Sequence, residues 1–192
     1  MENKSVLDLL RECGSLLEGH FLLTSGKHSD RYCQCAKLLQ YPDKAAQVVE
    51  LIARQVGELG ATVVVGPAMG GIVVAYELAR QLGVRGIFTE RVEEQMALRR
   101  GFTLTPQDRV LVSEDVVTTG KSTMEVVKLV ESFGAQVVGL CCLVDRRMPG
   151  IELPLPLYSA TTLQVQTFEP ADCPLCRQNL PLEKPGSRKI FQ

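Results

Sequence analysis

Four short apolar runs rich in β-branched residues constrain the fold of this chain more than any other feature: residues 62–66, 85–89, 110–113 and 136–144. Between polar end residues they are continuously apolar rather than alternating, which suits strands buried on both faces. Amphipathic helical stretches lie between or before them. Pro42 fits the first position of a helix carrying Ala45, Val48, Val49, Ile52 and Val56, which ends near Gly57 or Gly60; residues 70–82 and 122–133 read as two more. Strands alternating with helices imply an α/β architecture, a parallel sheet covered on both sides. Ligands in such sheets sit beyond the carboxyl ends of strands. Three segments fall there: residues 67–71, residues 114–121, and the pair Asp145, Arg146.

Outside this frame the pattern is looser. Residues 5–17 place Val6, Leu9, Leu10, Cys13, Leu16 and Leu17 at helical spacing, with Ser5 as N-cap. Residues 21–23 and 32–35 are short extended candidates around a polar turn. The charged stretch 90–101 fits no element. After Pro149, Pro154 and Pro156 interrupt the chain, and residues 157–165 can add one or two strands. Length (192 residues) and a 45% apolar content fit one domain with small appendages. A formal net charge of −1 gives no general pull toward nucleic acid or membranes, so any anion binding must be local. No signal-peptide pattern opens the chain, and no stretch approaches the roughly 20 apolar residues of a membrane span. Seven cysteines, an odd number, are expected to be reduced thiols in a cytoplasmic protein.

Residues 110–123, Val-Leu-Val-Ser-Glu-Asp-Val-Val-Thr-Thr-Gly-Lys-Ser-Thr, carry the chemistry. An apolar run ends in two adjacent carboxylates, and a loop of hydroxyl residues with one glycine opens the next helix. Carboxylates accept hydrogen bonds from vicinal hydroxyls, while backbone N–H groups, side-chain hydroxyls and a helix N-terminus hold a phosphate. Those parts together suit a phosphorylated sugar. The fragment Gly120-Lys121-Ser122 invites a nucleotide-hydrolase P-loop, but that motif needs a glycine where Asp115 stands, and a carboxylate there would repel a triphosphate. No GxGxxG follows any expected strand, which counts against a dinucleotide site.

The segment resembles the phosphoribosyl pyrophosphate motif of the type I phosphoribosyltransferases. The resemblance implies that family's fold: a central parallel sheet flanked by helices, with a small hood built from the termini. The core would run over about residues 43–150, with the hood from 1–42 and 151–192, all in a single domain. It also implies that Glu114, Asp115, Val116, Val117, Thr118, Thr119, Gly120, Lys121 and Ser122 bind phosphoribosyl pyrophosphate, residues 118–122 gripping the 5-phosphate and Lys121 acting mainly through its backbone N–H. Glu114 and Asp115 would contact the ribose hydroxyls. Ala68, Met69, Gly70 and Gly71 would form the pyrophosphate loop, with a strained or cis peptide near Ala68-Met69, and Arg91 would act on pyrophosphate. Glu114, Asp115 and Arg91 are the expected catalytic residues.

Further fragments resemble the orotate phosphoribosyltransferases, in a longer bacterial form: residues 23–29, 66–71, 89–91, 144–146 and the Cys-Pro-Leu-Cys tail with Lys184-Pro185-Gly186-Ser187-Arg188. By that resemblance Thr118 and Arg146 bind orotate, and the activity is transfer of ribose 5-phosphate from phosphoribosyl pyrophosphate to orotate. Mg²⁺ would be held mainly by the substrate, with no direct protein ligand, and the chain would form a homodimer without nucleic-acid or membrane partners. A purine or xanthine phosphoribosyltransferase is the alternative, followed by a regulator that senses phosphoribosyl pyrophosphate. The chain departs from the familiar pattern in three places: Gly70 stands where a lysine is usual, residues 90–100 lack the lysine and histidine of the mobile loop, and Thr24 replaces a lysine near the base. Arg99, Arg100, Lys27 or His28 are the candidates to compensate.

Cys173 and Cys176 form a lone CxxC. Structural zinc needs four ligands, and Cys33 with Cys35 is the conceivable second pair, so reduced structural thiols are the leading expectation. His20 and His28 lie too far apart in sequence to resemble a chelating pair.

Overall fold

The computed structural model describes residues 5–23 and 25–185. Helix α1 (Val6–Glu12) is capped by Ser5, whose hydroxyl accepts the Asp8 N–H at 3.2 Å. The expected helix to residue 17 is not formed. Gly14, at φ +63°, adopts the left-handed conformation, its N–H donates to the Arg11 carbonyl and the Ser15 N–H donates to that of Leu10. This 6→1 and 5→2 pairing closes the helix, and Leu16 and Leu17 start strand β1 instead.

Strands β1 (Leu16–Leu22) and β2 (His28–Cys33) pair antiparallel. Helices α2 (Ala36–Leu39) and α3 (Pro42–Val56) follow, the latter with Pro42 in its first turn as expected. The main sheet is built from β3 (Val63–Pro67), β4 (Arg85–Val92), β5 (Gln95–Leu98), β6 (Arg109–Val117), β7 (Gln136–Asp145) and β8 (Leu157–Thr162), in the order β5-β4-β3-β6-β7-β8. All neighbours run parallel except β5 against β4. Helix α4 (Gly70–Leu82) joins β3 to β4, and α5 (Lys121–Ser132) joins β6 to β7.

Alternate residues of the central strands face opposite sides. Val64 and Leu111 pack with Val48, Val49 and Ile52 of α3 and with Val74 and Leu78 of α4; Val63, Val65, Val110 and Val112 pack with Val126, Val127 and Val130 of α5. That two-sided burial is why these strands carry continuous apolar runs. From β3 the chain winds to one side of the sheet and from β6 to the other. The loops following these two neighbours therefore diverge and leave a crevice at their carboxyl ends.

The stretch that fits no element in sequence is the end of β4, a turn, and β5. Glu93 and Glu94, at φ 46° and 66°, make a two-residue turn with both residues left-handed, the geometry that matches hairpin twist. Two glutamates lack the usual Asn-Gly signature of such a turn, which hid the hairpin.

The second sheet, β1-β2-β9, is completed by β9 (Thr167–Phe168). The short helix α6 (Pro174–Arg177) and the chain after it return to this sheet. The Leu22 N–H donates to the Glu183 carbonyl, and the Glu183 N–H to the His20 carbonyl, each at 2.8 Å. Residues 186–192 of the basic tail lie outside the described residues.

Candidate active site

Glu114 and Asp115 do not lie in a loop. β6 continues to Val117, and its register with β7 pairs Glu114 with Cys142, Val116 with Val144 and Val117 with Asp145. The acidic pair thus stands on a strand held by its neighbour, a stiffer platform than the sequence implied. Glu114 is buried and accepts a hydrogen bond from the Ser122 hydroxyl at 2.9 Å, which ties the strand end to the first turn of α5. The Val116 N–H donates to Asp115 Oδ1 at 2.9 Å.

Burial, with the Asp115 charge second, pushes the Glu114 carboxyl up to about 7; the Ser122 hydroxyl pulls the other way. Burial also raises Asp115, opposed by the Val116 N–H. No lysine or arginine compensates either group among the described residues. Two partly buried acids without a protein cation are costly unless a ligand supplies donors or positive charge.

The loop from Ala68 to Gly71 packs against this pair. A Cβ on Gly70 would lie 2.5 Å from Asp115 Cγ and 2.5 Å from Oδ2; one on Gly71 would lie 2.7 Å from Pro67 Cδ and 3.0 Å from the Ser113 carbonyl. A lysine at position 70, like any other side chain, would have to displace the Asp115 carboxylate in this chain. The Ala68–Met69 peptide is cis, as expected, and the Ala68 N–H donates to the Thr89 carbonyl at 2.8 Å.

Two clefts meet at the following loop. The first, about 460 Å³, is lined by residues 116–123 together with Arg91, Glu94 and Glu125. Gly120 caps α5, and the exposed Thr118 and Thr119 present their hydroxyls where the helix begins. A helix N-terminus with free N–H groups and a positive dipole end suits an anion. Arg91 sits on this cleft's rim, where its guanidinium donates to the Glu94 carbonyl and the Glu125 carboxylate. The structure therefore groups Arg91 with the hydroxyl-rich loop and with α5.

The second cleft, about 570 Å³, shares Thr118 and Thr119 with the first and adds Arg146, Tyr32, Lys27 and apolar side chains such as Ile151 and Val165. Arg146 does not pair with Asp145. Arg147 takes that carboxylate in a fork, Nη2 to Oδ2 at 2.9 Å and Nε to Oδ1 at 3.0 Å. Arg146 is left with a buried Nε that has no hydrogen-bond partner. Arg146 lines the cleft with a guanidinium that no described residue claims, and such a group can donate in a fork to a planar oxygen-bearing ligand.

Of the residues proposed to compensate for the missing basic groups, Arg100 is paired with Glu90 at 2.8 Å and His28 faces a separate cluster, while Lys27 lines the second cleft and pairs with Glu169 at 2.8 Å. Thr24 lies outside the described residues. Sequence reading missed Tyr32 and the division of labour between Arg146 and Arg147; adjacent arginines carry no sequence signal for which one is free.

In the unfolded chain Glu114 titrates near its ordinary 4.5, and in the folded chain near about 7. Between those values the folded state holds a proton that the unfolded state has released. This group's contribution to stability is thus complete below about 4.5 and lost as pH rises through about 7. Urea midpoints of the ligand-free protein are expected to fall across this range more steeply than those of Glu114→Gln; parallel profiles would contradict the buried-acid assignment.

The phosphoribosyl transferase domain model matches residues 36–154. Over 190 residues, 99% of this chain and 100% of the relative, the chain is 48% identical to the orotate phosphoribosyltransferase of Desulforamulus reducens. Among solved structures, the orotate phosphoribosyltransferase of Aeropyrum pernix superposes with a TM-score of 0.71 at 26% identity, covering 82% of this chain and 93% of that one. The Mycobacterium tuberculosis H37Rv orotate phosphoribosyltransferase, in complex with inorganic phosphate, gives 0.67 at 27% identity over 82% and 94%. With the acidic strand end, the phosphate loop and the cis-peptide loop assembled at one crevice, the chain belongs to the phosphoribosyltransferase family, in its orotate phosphoribosyltransferase branch.

Proposed function

We propose that this chain transfers ribose 5-phosphate from 5-phosphoribosyl 1-pyrophosphate to orotate, giving orotidine 5-monophosphate and pyrophosphate. The observation that carries the reading is the pair of clefts sharing Thr118 and Thr119, one a helix-N-terminal anion site and the other walled by the unpartnered Arg146. The near-full-length relative favours orotate over a purine as acceptor. The second sheet acts as a hood over the acceptor cleft, within one domain.

In this reading residues 118–122 grip the 5-phosphate through backbone N–H groups and hydroxyls. Glu114 and Asp115 accept hydrogen bonds from the ribose 2- and 3-hydroxyls. Residues 68–71 receive pyrophosphate with Arg91 beside them, which requires Arg91 to exchange Glu125 for the ligand. Arg146 and Thr118 orient the base. The reaction develops positive charge at the ribosyl carbon as pyrophosphate departs, so the protein needs no nucleophile. It must hold two reactants in line and stabilise charge on the leaving group. The uncompensated acid pair fits a divalent cation such as Mg²⁺, with Glu114 and Asp115 holding its hydrated, substrate-bound form. When bound, that ion supplies neutralisation of pyrophosphate charge.

A panel assay with phosphoribosyl pyrophosphate, Mg²⁺ and orotate or purines tests the acceptor. Orotate consumption is expected, with turnover largely lost in folded Asp115→Asn. Arg146→Ala is expected to raise the KM for orotate by about 10-fold or more, the loss of a charged hydrogen bond, with a smaller change for phosphoribosyl pyrophosphate. Purine conversion without orotate consumption, or wild-type turnover in Asp115→Asn, would contradict the assignment.

All seven cysteines are free thiols, which supports a reducing compartment such as the cytoplasm; no helix of the described residues is long and apolar enough to cross a membrane. A homodimer is supported by an apolar stripe beside the site: Met69 (82% exposed), the N-cap of α4, is followed at helical spacing by Val73 (42%) and Tyr76 (69%). Light scattering is expected to show a dimer that Tyr76→Glu converts to a less active monomer; a fully active wild-type monomer would refute it.

A further inference from the structure

His20 and His28, distant from Cys173 and Cys176 in sequence, meet them in the hood. The hairpin places Leu22 opposite His28, so His20, two residues before Leu22, lies diagonally across from His28. The return of the chain through α6 brings both thiols to the same point. One ligand atom from each residue lies within 4.8 Å of all the others. The expectation that the histidines could not form a chelating pair is therefore overturned, and Cys33 and Cys35, the conceivable second pair, stand outside the cluster. Those two thiols lie 3.8 Å from each other, and Cys35 Sγ lies 3.8 Å from the Asp115 carbonyl.

We propose that His20, His28, Cys173 and Cys176 bind a zinc ion that cross-links β1, β2 and the C-terminal segment. Sulfur-to-nitrogen separations are 3.6 Å (Cys173 to His20 Nε2), 3.7 Å (Cys176 to His20 Nε2) and 3.3 Å (Cys176 to His28 Nδ1). A tetrahedral site with ordinary zinc–sulfur and zinc–nitrogen bonds has such edges at about 3.6 Å. The two imidazole nitrogens, 2.8 Å apart, open by about 0.5 Å to reach the corresponding edge.

His20 Nδ1 lies 2.9 Å from the Leu180 carbonyl, an acceptor only, so Nδ1 carries the hydrogen and Nε2 presents its lone pair to the cluster. An outward hydrogen bond to a backbone carbonyl is the usual orientation of a metal-bound imidazole. His20, His28 and Cys173 are all buried, with 4%, 6% and 1% exposure, and the S₂N₂ donor set with CxxC spacing suits zinc better than a hard cation. A disulfide between the cysteines would leave the convergence of both imidazoles without a role.

The site adjoins the acceptor cleft without belonging to it. Lys27 precedes His28, and Glu183, which bonds to the His20 backbone, precedes two residues of the cleft wall. The ion would thus fix chain segments that have little apolar core of their own.

The full-length chain, purified under reducing conditions, exposed to zinc sulfate and dialysed, is to be assayed by elemental mass spectrometry and zinc-edge X-ray absorption. About one zinc per chain with two sulfur and two nitrogen neighbours is expected, and its loss in Cys173→Ser/Cys176→Ser. Cobalt(II) added to the metal-free wild type is expected to give the visible bands of a tetrahedral thiolate site, a readout that does not depend on the variant folding. Metal-free wild type with no cobalt bands, a Cys173–Cys176 disulfide as the isolated form, or unchanged zinc in the double variant would overturn the proposal. None of these measurements depends on which base the enzyme uses.

Discussion

The contact between Asp115 and the backbone at Gly70 is the constraint on which the rest of the site depends. The ends of β3 and β6 are neighbours in a parallel sheet, yet the chain leaves them in opposite directions. That divergence opens the crevice, and the glycines of residues 70–71 let one wall approach the other to within van der Waals contact of a carboxylate. A sugar that carries a 5-phosphate at one end and a reactive 1-pyrophosphate at the other must be held at both ends at once. Bringing the acid pair against the adjacent loop is how this fold sets both ends with two short segments on rigid strands.

Electrostatics explains why these residues are poor for the empty protein and useful for the loaded one. Glu114 is raised to about 7 because burial and Asp115 both oppose its charge. No cation among the described residues relieves it, whereas Asp145, also near a strand end, is fully claimed by Arg147. The same partition leaves Arg146 with an unsatisfied nitrogen. An acid pair without a base at the end of β6, and a base without an acid in the neighbouring cleft, are what a hydroxyl- and metal-bearing donor and an anionic acceptor would complete.

Much of this was legible in the chain. Apolar runs with helical intervals gave the parallel sheet because burial on both faces leaves a period-free strand signature. The order of acid pair, hydroxyl-rich loop and helix pointed to the family, which the matching domain and the near-full-length relative show. The limits of the reading were tertiary or conformational. A Schellman closure at Gly14 cut a helix that periodicity extended to Leu17, and two left-handed glutamates hid the β4–β5 hairpin. The choice between Arg146 and Arg147 depended on which side chain could reach Asp145. The His20–Cys176 cluster required the C-terminal segment to fold back on β1, which no local spacing announces.

The closest test of the central contact is the affinity of Gly70→Ala for phosphoribosyl pyrophosphate with Mg²⁺, measured calorimetrically beside its unfolding midpoint. The added methyl occupies the position 2.5 Å from the Asp115 carboxyl. Loss of about 10-fold or more in affinity, the scale of one displaced charged contact, is expected with the fold retained. Wild-type affinity in a folded Gly70→Ala protein would contradict the account.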